Sequence, residues 1–146
     1  AKGSVASRLS DTSGAPRSAR DNRAKFERAF SALVDDLTRA NKRVVIVGPI
    51  PEPSFNVPHR LYVSRFGWAS PPAPVTDYQD QHHVILAFLK RFEGRPGVSF
   101  IWPATMLCRG SVCATVKDDL PMYFDHNHLT VAAARSLAPL YQDQEF

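Results

Sequence analysis

The sequence has few cysteines, few glycines and no long apolar run. It holds two cysteines and seven glycines among 146 residues. No apolar run approaches the roughly 20 residues that a membrane-spanning helix needs. No apolar stretch follows residues 1–4, as it would in a signal peptide. We therefore expect any targeting or membrane segment to lie outside this sequence.

The composition indicates one globular domain. Hydrophobic residues make up 44% of the chain and charged residues 22%, which is typical of a domain with a sizeable core. The net charge of +4 comes from the first 28 residues, since the remainder is balanced. We predict an irregular basic leader over residues 1–20 and the folded domain over residues 21–146.

The basic leader has several possible partners. It could contact anionic lipid, acidic glycan or nucleic acid, or it could be a solvated linker. It lacks the interleaved aromatic residues on which single-stranded nucleic acids stack. We therefore expect no nucleic-acid partner.

The two cysteines, Cys108 and Cys113, flank a predicted turn at Gly110 and Ser111. This spacing favours a small-loop disulfide, which would place the chain in an oxidising compartment such as a periplasm. The alternative is a pair of reduced structural thiols in the cytosol. A zinc site is disfavoured because the spacing is unsuitable and there is no third cysteine.

Apolar periodicity predicts an amphipathic helix from Asp21 to about Asn41, followed by two strands at residues 43–48 and 98–102. Both strands are rich in β-branched and aromatic residues, which is typical of strands buried on both faces of a parallel sheet. The helix places these residues on one face: Phe26, Phe30, Leu33, Val34, Leu37 and Ala40.

Between the strands we predict a stiff proline loop at residues 48–53, a long loop at residues 54–75 and a second helix. The proline loop follows the carboxyl end of a strand, so it is either a wall of the active site or a rigid connection. A capping-box pattern at Thr76 and Gln79 predicts the start of the second helix, and Gly94 and Pro96 predict its end. Its predicted apolar face is made of Val84, Ile85, Phe88, Leu89 and Phe92. His82 and His83 are adjacent in this helix and point about 100° apart, so we expect no metal site there.

The order of elements predicts an α/β domain with a parallel sheet flanked by helices. Two strands make a thin sheet, so we expect further strands beyond those that the pattern shows. The last helix is predicted to begin after the N-cap Thr130, with this apolar face: Val131, Ala134, Leu137, Ala138 and Tyr141.

The segment from Asp125 to Thr130 carries the chemistry. Asp125 precedes His128 by three residues, a spacing that suits the acid/base half of a serine-hydrolase triad. In such a pair the imidazole accepts a proton from the nucleophile, and the carboxylate orients the imidazole. His126 is expected to be a bystander. The alternative for His128 is a histidine beside a helix with an ordinary hydrogen bond.

Several segments together resemble the SGNH hydrolase-like domains attached to acyltransferase-3 membrane proteins. They are Val44–Pro53, Leu107-Cys108 with Cys113, Pro121–Asp125, and Asp125-His-Asn-His-Leu-Thr130 followed by small residues. The resemblance runs from about Phe26 to Tyr141. It implies an SGNH (flavodoxin-like) fold, a catalytic Asp125–His128 pair and no cofactor.

The resemblance also implies a substrate and a location. Such domains O-acetylate bacterial surface polysaccharides, so it implies a polysaccharide acceptor, an acyl donor from a membrane acyltransferase domain, and a periplasmic site attached to an inner-membrane protein. The family's nucleophile lies in a Gly-Asp-Ser motif after a strand. This sequence lacks that motif, and its nearest match is Gly3-Ser4.

We therefore interpret the chain as the carboxyl-terminal part of the domain. The serine and the oxyanion-hole donors would come from the amino-terminal part, in the same chain or in a separate one. The alternatives are an esterase of the same fold, in which water replaces the sugar hydroxyl, and a non-catalytic glycan-binding domain.

Overall fold

The computed structural model describes residues 18–67 and 73–142. The chain divides into two compact units, residues 1–44 with 95–98 and residues 45–94 with 99–146. In the described residues the helices are α1 (Ala19–Arg39), α2 (Val57–Ser64), α3 (Val75–Leu89) with a 3-10 turn (Lys90–Phe92), α4 (Ala104–Leu107), α5 (Val131–Ser136) and α6 (Pro139–Gln142). The strands are β1 (Val44–Val47), β2 (Ala73–Pro74), β3 (Val98–Ile101), β4 (Cys108–Arg109), β5 (Val112–Cys113), β6 (Val116–Lys117) and β7 (Leu120–Pro121).

The first unit is built around α1. Ser18 caps the helix by accepting a hydrogen bond from the Asp21 amide at 3.1 Å, so the helix begins two residues before the predicted start. The predicted apolar face is only partly right, because Val34 is buried while Leu33 is 56% exposed. Lys25 is also buried, although the pattern placed charges on the opposite face. Residues 1–17 of the predicted leader lie outside the described residues.

The predicted parallel pair is present in β1 and β3. The amide of Val44 donates to the carbonyl of Gly97, and the amide of Gly48 donates to Ile101, both at 2.8 Å. From the first hydrogen bond to the second, the donor moves from residue 44 to 48 and the acceptor from residue 97 to 101. Both numbers increase together, so the two strands are parallel. The prediction that β1 is buried on both faces is wrong, because Ile46 is buried but Val47 is 48% exposed.

The segment 54–75 contains a helix that the sequence analysis missed. Helix α2 is capped by Asn56, whose side-chain oxygen accepts from the His59 amide at 2.9 Å. Pro58 lies in the first turn of this helix, where a missing N–H costs nothing. Residues 68–72 of the predicted loop lie outside the described residues.

Helix α3 starts two residues earlier than the capping box predicted. Its N-cap is Pro74, which makes no side-chain capping bond, so the assignment of Thr76 as the cap was wrong. The predicted apolar face is largely correct, because Phe88, Leu89 and Phe92 are buried. The helix passes into the 3-10 turn before Gly94, as expected.

The cysteine segment forms a small antiparallel hairpin. Cys108 pairs with Cys113 and Arg109 with Val112 across β4 and β5, and the two cysteines are joined by a disulfide. Gly110, in the turn, has a φ of 58°, a conformation that glycine adopts without strain. The predicted disulfide is therefore present, and β2 extends this sheet on the other side of β5.

The core of the second unit lies under the carboxyl-terminal segment. It consists of Val57, Leu107, Met122, Tyr123, Ala133 and Leu137, with Phe55 and Leu129 packed against it. The predicted apolar face of the last helix was mostly wrong: Leu137 is buried, but Val131 is 68% exposed, and the chain forms two short helices instead of one. Thr130 does cap α5, by accepting from the Ala133 amide at 3.3 Å.

Candidate active site

The Asp125–His128 segment closes a tight loop between two paired stretches of chain. Tyr123 and Leu129 form an antiparallel bridge, and the Thr130 amide donates to the Met122 carbonyl at 2.8 Å. The Phe124 amide donates to the His128 carbonyl at 2.9 Å. Only three residues, 125–127, lie between Phe124 and His128. The backbone of this short loop therefore fixes the positions from which the Asp125 and His128 side chains extend.

Asp125 holds the imidazole of His128 with one oxygen and the loop backbone with the other. His128 Nδ1 lies 2.7 Å from Asp125 Oδ2. Asp125 Oδ1 accepts hydrogen bonds from the backbone amides of Asn127 and His128, each at 2.8 Å. The two amides fix the rotation of the carboxyl group, so the second oxygen is aimed at the imidazole.

This arrangement defines which nitrogen of His128 carries the proton. An ionised carboxylate can only accept hydrogen bonds, so Nδ1 is the donor to Asp125. In the neutral imidazole Nε2 then keeps its lone pair, as a general base requires. Among residues 18–67 and 73–142, no hydrogen-bond partner occupies Nε2.

The carboxyl group of Asp125 is ionised at neutral pH. The backbone N–H of Asn127, the imidazole of His128 and then the backbone N–H of His128 hold its pKa well below its usual range. A negative charge beside Nδ1 also stabilises the imidazolium that forms when Nε2 takes a proton.

The His128 side chain is 67% exposed and that of Asp125 is 30% exposed. The ring of Phe124, itself 66% exposed, lies with its centroid 6.1 Å from that of His128. The imidazole therefore lies on an open surface of the described structure, with room beside it for a substrate or a further protein segment.

Two longer-range hydrogen bonds tie the loop to the rest of the second unit. The hydroxyl of Tyr123, which is fully buried, donates to the Pro51 carbonyl at 2.7 Å. The Val57 amide, at the start of α2, donates to the Asp125 carbonyl at 3.1 Å. The proline loop is thus joined to the chain two residues before Asp125, and α2 is joined to Asp125 itself.

The environment of Tyr123 also involves Glu52. Burial, and then the negative charge of Glu52, raise the pKa of the Tyr123 hydroxyl far above its usual range. The hydroxyl therefore stays a donor to Pro51 at all ordinary pH values. Glu52 accepts in turn from the Gln81 side chain at 3.0 Å, which ties the proline loop to α3.

The other candidates from the sequence do not join this site. Ser4 lies outside the described residues. His126 is exposed and makes no hydrogen bond with the described residues. His83 contacts the Asp80 carbonyl of its own helix at 2.7 Å. No cluster of metal-binding side chains occurs among residues 18–67 and 73–142.

The sequence analysis missed the groups that hold the pair in place, which are the amide of Asn127, the amide of Val57 and the hydroxyl of Tyr123. Main-chain donors have no sequence signature. The tyrosine could have been suspected because a phenol in an apolar segment needs a hydrogen-bond partner when it is buried.

Helices, a parallel strand pair and an Asp-x-x-His loop among the described residues are features of an α/β domain. The family model for the SGNH domain fused to AT3 domains matches residues 3–143. The chain belongs to this SGNH domain family. No curated protein and no solved structure matches it significantly.

Family membership supports an enzyme of the hydrolase or acyltransferase type. The fold is consistent with this assignment, because helices accompany a sheet that is partly parallel. Within the described residues, none of the helices has both the length and the apolar character to cross a membrane.

Proposed function

We propose that the chain takes part in acyl transfer, with acetyl as the expected acyl group, to hydroxyls of a bacterial cell-surface polysaccharide. Asp125 and His128 act as the acid/base pair of a Ser-His-Asp mechanism. The observation that carries this proposal is the 2.7 Å contact between His128 Nδ1 and Asp125 Oδ2, with Nε2 left available. Membership of a family whose domains are fused to AT3 domains supports the acyl chemistry.

In the first step a serine hydroxyl attacks the carbonyl carbon of an acyl donor. Nε2 of His128 takes the hydroxyl proton and later passes it to the leaving group, which departs as its protonated form. In the second step Nε2 takes the proton of a sugar hydroxyl, whose oxygen attacks the acyl-serine. The serine leaves with the proton, and the sugar carries the ester.

The serine would come from outside this sequence. The family's Gly-Asp-Ser motif is absent from residues 1–146, while the acid/base pair is in place. A nucleophile from an amino-terminal part of the domain, in the same or a separate chain, would meet His128 on its open side. No metal or bound cofactor enters these steps.

A periplasmic location, attached to an inner-membrane acyltransferase, suits both the family and the disulfide. Disulfides persist in oxidising compartments, and Cys108 and Cys113 are bonded. The membrane acyltransferase would supply the acyl group on the side of the membrane where the polysaccharide lies.

An esterase of the same fold is the second candidate, because the same pair can activate water in place of a sugar hydroxyl. The His128 side chain is 67% exposed. This exposure favours the esterase as a second candidate, because an open site admits water. A non-catalytic glycan-binding domain is the alternative from another class, and the absence of the serine motif favours it. Relative rates of hydrolysis and transfer, measured with a candidate glycan present, separate the two enzymes.

The test is His128→Ala in the full-length parent protein. We expect transfer to fall by a factor on the order of 10³ with folding retained, because the general base is lost. His126→Ala is the matched control, since His126 is an exposed histidine in the same loop, and it should keep activity within about twofold. Equal activity of the His128→Ala and wild-type proteins would reject the assignment.

A further inference from the structure

An open cleft lies on the helix that is bonded to Asp125. It has a volume of about 580 Å³ and is lined by Ser54, Phe55, Asn56, His59, Arg60 and Val63. This volume is within the range of small-ligand sites. The lining mixes the apolar residues Phe55 and Val63 with polar ones, and it includes the basic side chains of His59 and Arg60 and no carboxylate.

The guanidinium of Arg60 is held in a fixed place. It lies 5.7 Å from the centroid of the Phe55 ring, and Phe55 packs against the buried core of the second unit. A ring face positioned by the core holds a guanidinium by cation–π attraction while leaving its in-plane N–H donors available.

Arg60 has no acidic partner in the part of the chain that the structure describes. A guanidinium presents its donors in a planar fork that matches a carboxylate or phosphate, and an anion in this cleft would make charge-assisted hydrogen bonds to it. The cleft therefore has the chemistry of a site for an anionic group rather than for a neutral sugar.

The cleft is also close to the Asp125–His128 pair. Val57 lies in the segment that lines the cleft, and its amide donates to the Asp125 carbonyl at 3.1 Å. Asn56, the preceding residue, is therefore within about 10 Å of Asp125 across this hydrogen bond. A sugar unit bound at Arg60 would keep neighbouring units of the same polymer near His128.

We propose that this cleft binds an anionic sugar residue of the acceptor, through Arg60 oriented by Phe55. The anion is a carboxylate or a phosphate on the sugar. The role of this binding in acyl transfer rests on the proposed function, whereas the binding itself does not.

The test is a titration of the full chain, labelled with ¹⁵N, with three probes. They are trigalacturonate, its carboxyl-reduced neutral counterpart, and mannose 6-phosphate. We expect amide shift changes at residues 54–63 with one or both anionic probes, and affinity at least about tenfold tighter than for the neutral sugar. The anionic probe that binds more tightly identifies the anion.

Variants locate the contact. Arg60→Ala should weaken anion binding about tenfold or more and Arg60→Lys by less, because lysine keeps the charge but not the fork. Arg65→Ala is the matched control, as an exposed arginine just after the same helix, and should bind as wild type. Equal affinity for charged and neutral probes, no binding of either anion, or unchanged affinity in Arg60→Ala would overturn the proposal.

The same variants, tested for binding in this chain and for acyl transfer in the full-length parent protein, separate this inference from the proposed function. His128→Ala should bind the anionic probe as wild type does. If binding at Arg60 is confirmed but His128→Ala leaves acyl transfer unchanged, the function fails and the site stands. If His128→Ala abolishes transfer but Arg60→Ala still binds the probe, the site fails and the function stands.

Discussion

The carboxylate of Asp125 bonds His128 twice, once at its backbone amide and once at its imidazole, at 2.8 and 2.7 Å. The hydrogen bond to the backbone amide fixes where the side chain begins, and the hydrogen bond to Nδ1 fixes the orientation of the ring. The histidine is thus oriented by a single residue three positions earlier. This local arrangement keeps the pair formed even though the His128 side chain is largely exposed.

The pKa of Asp125 should lie well below the usual value of about 3.9, because three hydrogen bonds favour the charged form. Carboxyl ¹³C NMR titration measures it directly. In His128→Ala the pKa should rise only part of the way, since the largest cause, the Asn127 amide, remains. An Asp125 titration near the usual value in the wild type would contradict this account.

The same shift predicts a pH dependence of stability. Because the folded-state pKa is lowered, the contribution of Asp125 is complete above its unfolded pKa and is lost as the pH falls through the folded value. The stability difference between wild type and Asp125→Asn should therefore shrink as the pH falls below about 4. Urea unfolding at a series of acidic pH values checks it, and a difference that grows below about pH 4 would be inconsistent with the lowered pKa.

Tyr123→Phe should destabilise the fold by about 1–2 kcal/mol. It removes the hydroxyl that donates to the Pro51 carbonyl at 2.7 Å in a buried setting, which leaves that carbonyl without its partner. Urea unfolding gives the free energy. Tyr62→Phe is the control, because Tyr62 is 62% exposed, and its change should be near zero. Equal stability of the Tyr123→Phe and wild-type proteins would show that the bond contributes nothing.

The cysteines should react as thiols only after reduction, since Cys108 and Cys113 are bonded. In the chain-entropy model, replacing both by alanine should lower stability by about 2 kcal/mol, because the closed loop is short. Thiol titration of denatured protein before and after reduction is the direct measurement. Two thiols in the unreduced sample would reject the bridge and the periplasmic proposal with it.

The sequence predicted the elements whose patterns are local and strong. The β-branched run predicted β1 as a strand, although not its burial, and the apolar stripe of α3 reflects burial that repeats along the helix. The Asp125–His128 pair was also within reach, because the two residues are three apart and the loop that joins them is short. Whether they act in catalysis stays a prediction.

The missed features depend on contacts between distant segments. Helix α2 was missed because residues 54–75 were predicted to be one long loop, although Asn56 is a good N-cap. The strands from β4 to β7 have two residues each, too few for any period to show. Leu137 was correctly placed in the core, but Val131 is exposed, and two short helices replace the single helix predicted there.

Labelling with a fluorophosphonate probe tests the central claim most directly. The full-length parent protein would be labelled over time, and the site would be found by intact-mass spectrometry and peptide mapping. We predict a label on a serine outside these 146 residues, with the labelling rate greatly reduced in His128→Ala and kept in His126→Ala. A label on a serine within this sequence, or a rate that does not depend on His128, would contradict the account.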